Sequence, residues 1–305
     1  MVDISTRISM LKLGNPFMNA SGILGLTGHS LKRIADSGVG AVVSKSVGRT
    51  ARSGNPNPSV VEVDCGLLNS MGLPNPGVVE AVKGFREDLK MINVPVIMSI
   101  YSFSSEDFHI VAKKMNSLRF SAFELNVSCP HVNELGFEIG QNADIIFDVV
   151  KNVKSATDKL VFVKLSPNVA NIIEMARAAE DAGADGLTLI NTVRAMMIDI
   201  NFKRPVLSGK FGGLSGPAIK PVAVRAVYEV SDSVKIPVIG CGGIISPEDA
   251  LEFFMAGASA VQLGTGIFYK DLKIFKEMIN GLDAYMKKNN FCKMKELIGL
   301  AHRNS

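Results

Sequence analysis

Ala122-Phe123-Glu124-Leu125-Asn126-Val127-Ser128-Cys129-Pro130-His131 is the stretch on which the fold turns. It opens as a short, largely apolar run of strand length. It then stops at Cys-Pro, because a proline cannot continue a central ladder. An amide, a hydroxyl, a thiol and an imidazole follow one another just where the strand ends. In parallel α/β proteins chemistry gathers at the carboxyl ends of strands. A buried cysteine at a strand terminus is most often only packing, but this one has polar neighbours and a long loop behind it, which favours a functional role.

Outward from that stretch, short β-branched runs alternate with helical patterns along the whole chain. Strands are predicted at 17–20, 41–45, 94–100, 122–127, 160–165, 186–190, 237–240 and 260–263. Helices are predicted between them, among others at 105–118, 143–155, 171–182, 218–230 and 247–256. Ser246-Pro247-Glu248-Asp249 has the signature of a helix start, with a capping serine, proline in the first turn and acids beside the positive end of the dipole. The two "AGA" turns, Ala182-Gly183-Ala184 and Ala256-Gly257-Ala258, mark helix ends that lead into buried strands. Eight β/α alternations without a break in composition predict a single (β/α)8 TIM-barrel domain over residues 1–305. The segments 46–76 and 130–142 are expected to be its long loops.

Composition narrows the function. The 305 residues, 47% of them apolar and 20% charged, fit one large α/β unit, since such barrels run to roughly 250 residues as one body. A net charge of +4, dispersed along the chain, gives no basic stripe for nucleic acid. The longest uncharged run, 253–269, is interrupted by glycines and does not read as a membrane span, and the N-terminus lacks the apolar core of a signal peptide. Cys65, Cys129, Cys241 and Cys292 are too far apart for a CxxC pair, so no metal, iron–sulfur or disulfide framework is expected in this chain. A reducing, cytoplasmic setting is the expectation.

Polar and glycine residues fall at the ends of nearly all the predicted strands. In chain order they are Asn19-Ala20-Ser21-Gly22, Ser44-Lys45-Ser46, Asn126 with Cys129, Lys164, Asn191-Thr192, Cys241-Gly242-Gly243 and Gly264-Thr265-Gly266. Together they outline one barrel mouth. The last two supply bare backbone where barrels commonly hold a phosphate; neither is a GxGxxG or Walker loop. Lys45 and Lys164 end strongly apolar strands and need an anionic or electron-rich partner. Asn19, Asn69, Asn126 and Asn191 offer the mixed donors and acceptors that a flat heterocycle requires. Cys129 is the candidate base or nucleophile, two residues from His131.

Nine ordered blocks carry a resemblance. They are Asn-Ala-Ser-Gly (19–22), Ser-Lys-Ser (44–46), Leu-Leu-Asn-Ser-Met-Gly-Leu-Pro-Asn-Pro-Gly (67–77), Asn-Val-Ser-Cys-Pro (126–130), Val-Lys-Leu-Ser-Pro-Asn (163–168), Ile-Asn-Thr (190–192), Gly-Gly-Leu-Ser-Gly-Pro-Ala-Ile-Lys-Pro (212–221), Cys-Gly-Gly-Ile (241–244) and Leu-Gly-Thr-Gly (263–266). From end to end the chain resembles the class 1 dihydroorotate dehydrogenases, and most of all the catalytic subunit of the NAD-linked class 1B. The resemblance implies an FMN barrel that oxidises dihydroorotate to orotate in pyrimidine biosynthesis. By that likeness Cys129 takes the C5 proton while hydride passes from C6 to flavin N5. Lys45 lies between flavin and substrate, and Lys164 lies at the flavin N1/O2 edge. These three are the implied catalytic residues.

The implied FMN contacts are Ser21, Lys45, Ser46, Ser99, Asn126, Lys164, Ile190, Gly216, Gly242, Gly243, Gly264 and Thr265. The implied substrate contacts are Lys45, Asn69, Ser70, Met71, Gly72, Leu73, Asn126, His131, Asn191 and Thr192. The loop after Cys129 would be a lid. FAD and a [2Fe-2S] cluster would belong to a separate electron-transfer subunit, joined to a homodimer of this chain in a heterotetramer. The class 2 features, an N-terminal extension and a serine base, are missing from this sequence. Two positions depart from the family. His131 stands where asparagine is frequent, and Ser99 replaces an asparagine of many class 1B chains. Cys-Pro-His with Gly140-Gln141 also resembles the pyrimidine-reducing domain of dihydropyrimidine dehydrogenase. Asn69-Ser70-Met71-Gly72-Leu73 with Lys45 instead suits a carboxylate, which uracil lacks, and so favours dihydroorotate over uracil-type rings. Lys-Leu-Ser-Pro-Asn-Val (164–169) and Gly-Gly-Leu-Ser-Gly-Pro (212–217) resemble class 1B rather than the fumarate-linked class 1A.

Overall fold

The computed structural model of the chain describes residues 2–128 and 139–304. Eight parallel strands form the barrel: β1 (Phe17–Asn19), β2 (Val42–Val43), β3 (Val96–Ile100), β4 (Ala122–Asn126), β5 (Leu160–Leu165), β6 (Gly186–Leu189), β7 (Val238–Cys241) and β8 (Ala258–Leu263). They hydrogen-bond in the order β1-β8-β7-β6-β5-β4-β3-β2. The main helix following each strand packs outside: α1 (Gly28–Ala35), α2 (Val78–Asp88), α3 (Ser105–Met115), α4 (Ala143–Ala156), α5 (Ile172–Asp181), α6 (Lys220–Ser233), α7 (Pro247–Met255) and α8 (Ile274–Lys288). All eight predicted strands are present, with ends moved by up to two residues. Among the described residues no helix is long and apolar enough to cross a membrane.

The period of two along each strand sorts side chains into two cores. Val96, Met98 and Ile100, with Phe123, Leu125, Val161 and Val163, face the helices and join one large apolar cluster. The alternate residues Ile97, Ala122, Phe162, Ile239 and Ala260 fill the barrel interior with Met18, Ala41 and Val43. That alternation is what a pleated strand imposes. An N-terminal hairpin, Thr6–Ile8 paired antiparallel with Leu11–Leu13, adds Ile8 and Leu13 to this inner cluster and plugs the bottom of the barrel. Sequence reading had not identified this hairpin. Burying each such aliphatic or aromatic side chain contributes about 1.5–3 kcal/mol.

Local signals behave as their chemistry requires. Ser246 caps α7 in a reciprocal box: its hydroxyl accepts the Asp249 N–H at 3.2 Å, and Asp249 Oδ2 accepts the Ser246 N–H at 2.9 Å. Gly183 and Gly257 end α5 and α7 with φ of +93° and +117°, where a side chain would strain the backbone.

The segment 46–76 is not simply a loop. Val60–Val63 and Gly66–Asn69 form an antiparallel pair, joined by Gly212–Ser215 and Val193–Ala195 into a four-stranded sheet. Val60–Val63 is partly exposed, and Gly212-Gly213 carries no side chains, so neither segment shows the hydrophobic pattern of a strand.

The barrel closes at the β1–β2 seam, where the backbone ladder is thin: one bridge pairs Met18 with Ala41, and Gly40 N–H donates to Phe17 C=O at 2.9 Å. The Asn19 side chain supplies the next rung. Its Oδ1 accepts Val43 N–H at 2.9 Å, and its Nδ2 donates to Val43 C=O at 2.7 Å. Asn19 is wholly buried, and its amide is therefore committed to the seam rather than to a ligand ring. Asn19→Ala should lower the unfolding free energy by about 2–5 kcal/mol, because two buried backbone groups lose their partner. Asn19→Asp should not restore it, since a carboxylate cannot donate to Val43 C=O. Urea denaturation of the three chains measures both.

Candidate active site

The strand ends deliver the sequence-predicted residues to one mouth. Ser46, Ser99, Asn126 and Asn191 come from four different strands or the turns after them, yet form one chain of hydrogen bonds. Ser46 Oγ and Ser99 Oγ lie 2.8 Å apart, Asn126 Nδ2 donates to Ser46 Oγ at 3.4 Å, and Asn191 Nδ2 donates to Asn126 Oδ1 at 3.1 Å. Ser99 N–H donates to Ser44 Oγ, and Thr192 N–H to Asn191 Oδ1. Ser21 is buried just beyond β1, and Ile190 just beyond β6, where its N–H reaches Cys241 C=O. The amide orientations are thus set before any ligand arrives.

Lys45 follows β2 and is only partly exposed. Its side chain makes no ion pair or hydrogen bond among the described residues, and burial pushes its pKa below the ordinary lysine value. A half-buried amine in that condition binds an anion readily, because the anion restores the charge that burial disfavours.

The segment Asn69–Leu73 leaves the rim sheet with its conformation fixed from several sides. Asn69 Nδ2 donates to Gly213 C=O at 3.1 Å, and Ser70 C=O accepts from Asn55 Nδ2 at 2.8 Å. Met71 C=O accepts from Asn55 N–H, and Gly72 and Leu73 both have positive φ. Asn75 braces the end of this segment. It accepts the N–H groups of Gly48 and Gly77 and donates to Leu73 C=O and Tyr101 Oη. It had been noticed only as part of a motif. Its reach across three loops is invisible in one dimension.

At the opposite side of the mouth Gly216, Gly242, Gly243, Gly264 and Thr265 converge. A Cβ on Gly243 would stand 2.9 Å from Gly216 C=O and 2.7 Å from Lys220 Cβ, and one on Gly216 would stand 2.7 Å from Gly66 Cα. With φ of +98° at Gly216 and +75° at Gly243, both positions require glycine. Thr265 Oγ1 donates to Ser215 Oγ at 2.8 Å, tying the turn after β8 to the rim sheet. Among the described residues the N–H groups of Gly243 and Ile244 have no acceptor, while those of Ile245 and Ser246 go to Asp249. Unpaired N–H groups in a glycine cradle, beside the start of the short helix Thr265–Lys270, fit a phosphate group.

Below the mouth lies a polar layer that the sequence did not announce. Lys164, 4% exposed, donates to Gln262 Oε1 at 3.0 Å and lies 3.5 Å from Cys241 Sγ. Gln262 Nε2 donates to Glu124 Oε2 at 2.5 Å, and Thr188 Oγ1 donates to the same oxygen at 3.0 Å. Burial by itself pulls the Lys164 pKa down, but negative charge at Cys241 and Glu124 lifts it above the usual lysine value. Burial pushes the Cys241 thiol up, and the Glu124 carboxylate lies across Gln262 from Lys164. A charged residue inside an apolar strand was the available signal for Glu124.

Cys129 and His131 lie outside the described residues. The flanks of that stretch are fixed. Gly140 N–H donates to Val127 C=O at 2.9 Å, Ser128 Oγ to Lys164 C=O at 3.2 Å, and Gln141 Nε2 to Asn168 C=O at 3.2 Å. Asn168 in turn reaches Thr192 C=O and accepts Arg194 N–H. Away from the mouth, His29 meets Asp88, His109 meets Asn152 C=O, and His302 stacks on Tyr228.

A closed eight-stranded barrel with a glycine cradle, an amide cluster and one lysine at its mouth, and a second lysine buried beneath it, is the architecture of a cofactor-dependent barrel enzyme. The chain belongs to the dihydroorotate dehydrogenase family, whose model, described as "Dihydroorotate dehydrogenase", matches residues 3–286. It is 48% identical over 291 residues to the "Dihydroorotate dehydrogenase B (NAD(+)), catalytic subunit" of Pyrococcus abyssi, covering 95% of this chain and 96% of that one. The protein of that name from Methanocaldococcus jannaschii is 48% identical over 302 residues, covering 98% of each chain. That from Thermoplasma volcanium is 47% identical, covering 99% of each.

Asn75→Ala should cost about 2–5 kcal/mol of stability, because it leaves buried N–H and C=O groups of three loops unpaired. Asn75→Asp, which still accepts from Gly48 and Gly77, should cost less. Thermal unfolding of the two variants against the parent chain is the check.

Proposed function

We propose that this chain oxidises (S)-dihydroorotate to orotate in pyrimidine biosynthesis, as the catalytic subunit of an NAD-linked enzyme. The observation that carries the reading is Lys45, a half-buried amine without a protein partner among the described residues, at the same mouth as the ordered amides of Asn126 and Asn191. It suits the substrate carboxylate, helped by the braced backbone of Ser70–Leu73. Asn69, Asn126, Asn191 and Thr192 supply the donors and acceptors that orient the ring edge.

Cys129 is the base that removes the C5 proton in this reading, which rests on the Asn-Val-Ser-Cys-Pro motif. FMN, when bound, supplies the acceptor for the C6 hydride. The residues suited to hold it are Gly216, Gly242, Gly243, Gly264 and Thr265 at the phosphate, and Ser21, Ser46, Ser99, Asn126 and Ile190 along its length. The Lys164 ammonium belongs at its N1/O2 edge, where positive charge favours the reduced ring.

Electrons would leave through a partner subunit carrying FAD and a [2Fe-2S] cluster and pass to NAD. The "catalytic subunit" name of the relatives supports a partner of some kind. A heterotetramer built on a homodimer is supported by the arm 193–211, which exposes Ile200, Phe202 and Phe211 to solvent. A cytoplasmic setting accords with the dispersed cysteines.

Anaerobic titration of the flavin-loaded chain tests the substrate. Dihydroorotate should bleach the flavin absorbance and dihydrouracil should not, and the reverse result overturns the assignment. Lys45→Met should weaken dihydroorotate binding by about 10–100-fold, the worth of a hydrogen bond to a charged group. Cys129→Ala should keep its flavin while reduction by dihydroorotate slows by about 10²–10⁴-fold. Unchanged reduction removes Cys129 from the mechanism.

A further inference from the structure

Glu124 is a carboxylate sealed inside the barrel at 0% exposure, and no step of the reaction described above uses it. One of its oxygens, Oε2, accepts from Gln262 and Thr188; the other, Oε1, is buried with no partner among the described residues. A buried carboxylate left half-satisfied is costly, and such a group persists where another charge depends on it. The charge here is Lys164. Gln262 joins the two: its Nε2 donates to Glu124 while its Oε1 accepts from Lys164 Nζ. The amide has one workable orientation, since flipping it would set donor against donor at Lys164 and acceptor against acceptor at Glu124. Two of the three Lys164 N–H directions are taken, by Gln262 and Cys241, which leaves one without a partner among the described residues.

We propose that Glu124 is a positioning residue: through Gln262 it holds the Lys164 ammonium in place and sustains the positive charge offered to the flavin edge. The inference rests on the flavin reading given above. It assigns the polar layer an electrostatic task distinct from packing. Lys164 carries the charge toward the ligand, and Glu124 stabilises that charge from below where water cannot. Removing the carboxylate leaves Lys164 buried without a compensating anion, and burial then favours the uncharged amine.

The test uses sulfite, which adds to flavin N5 and places negative charge at the N1/O2 edge. Its affinity therefore reports positive charge there. In the FMN-loaded chain Glu124→Gln should weaken sulfite binding about tenfold or more, the equivalent of one pKa unit of lost charge stabilisation. The exchange variant Glu124→Gln/Gln262→Glu keeps one carboxylate and one amide, now with the carboxylate against Lys164. It should bind sulfite within about threefold of the parent, well inside that one-unit loss. Unchanged or tighter sulfite binding in Glu124→Gln overturns the proposal, because the carboxylate would then merely oppose the lysine. Failure of the exchange variant to recover also overturns it, since the effect would be one of packing. If Glu124→Gln does not fold, the exchange variant alone decides by the same criterion. A parent chain that takes up no FMN sinks the cofactor reading, and this inference with it.

Discussion

Closure of the barrel depends on one side chain acting as backbone. Between β1 and β2 the backbone ladder is sparse, and Asn19 fills the gap with an acceptor for the N–H and a donor for the C=O of Val43. The consequence reaches the site directly. Ala20 and Ser21 continue from Asn19, and Ser44, Lys45 and Ser46 continue from Val43. The separation of Ser21 from Lys45 is therefore set by an amide with two short hydrogen bonds, together with the Lys45 N–H that donates to Gly25 C=O at 2.9 Å. Elements positioned in this way keep their geometry far better than flexible connections do.

The inside of the barrel is layered by dielectric as well as by shape. Its lower half, plugged by Ile8 and Leu13, is apolar and buried. One step up each strand the inward residues become Ser99, Glu124, Lys164, Thr188, Cys241 and Gln262, all buried. Charges above a low-dielectric floor interact strongly with one another and with anything at the mouth, because no solvent lies beneath to screen them. Hydrogen bonds within the layer limit how far the charged groups can relax.

The sequence made the strands legible because eight buried β-branched runs leave few other folds open. The glycine cradle was legible because its residue type and its place after β7 and β8 coincide. Other features were hidden for physical reasons. Gly212–Ser215 pairs as a strand through backbone alone, so no side-chain pattern betrays it. Asn19 looked like a ring contact because an asparagine at a strand end serves either purpose, and only the seam geometry separates them. Glu124 was passed over as one more strand residue. Its partners are Thr188 and Gln262, 64 and 138 positions away, and no local window contains them.

The rim sheet also acts as a strut. Gly66–Asn69 and Gly212–Ser215 run side by side, with Leu67 opposite Ser215 and Asn69 opposite Gly213. At one end Ser215 touches Thr265, a Cβ on Gly216 would stand 2.7 Å from Gly66 Cα, and one on Gly66 would run into Ser215 C=O. At the other end the chain leaves into Ser70–Leu73. Four residues of paired strand span roughly 13 Å and resist bending. The two ends of the mouth are accordingly one mechanical body: a displacement at the glycine cradle is delivered to the far rim as a translation of the whole ribbon. The distance between the cradle and the far rim is thus a property of paired backbone and not of the loops that leave it.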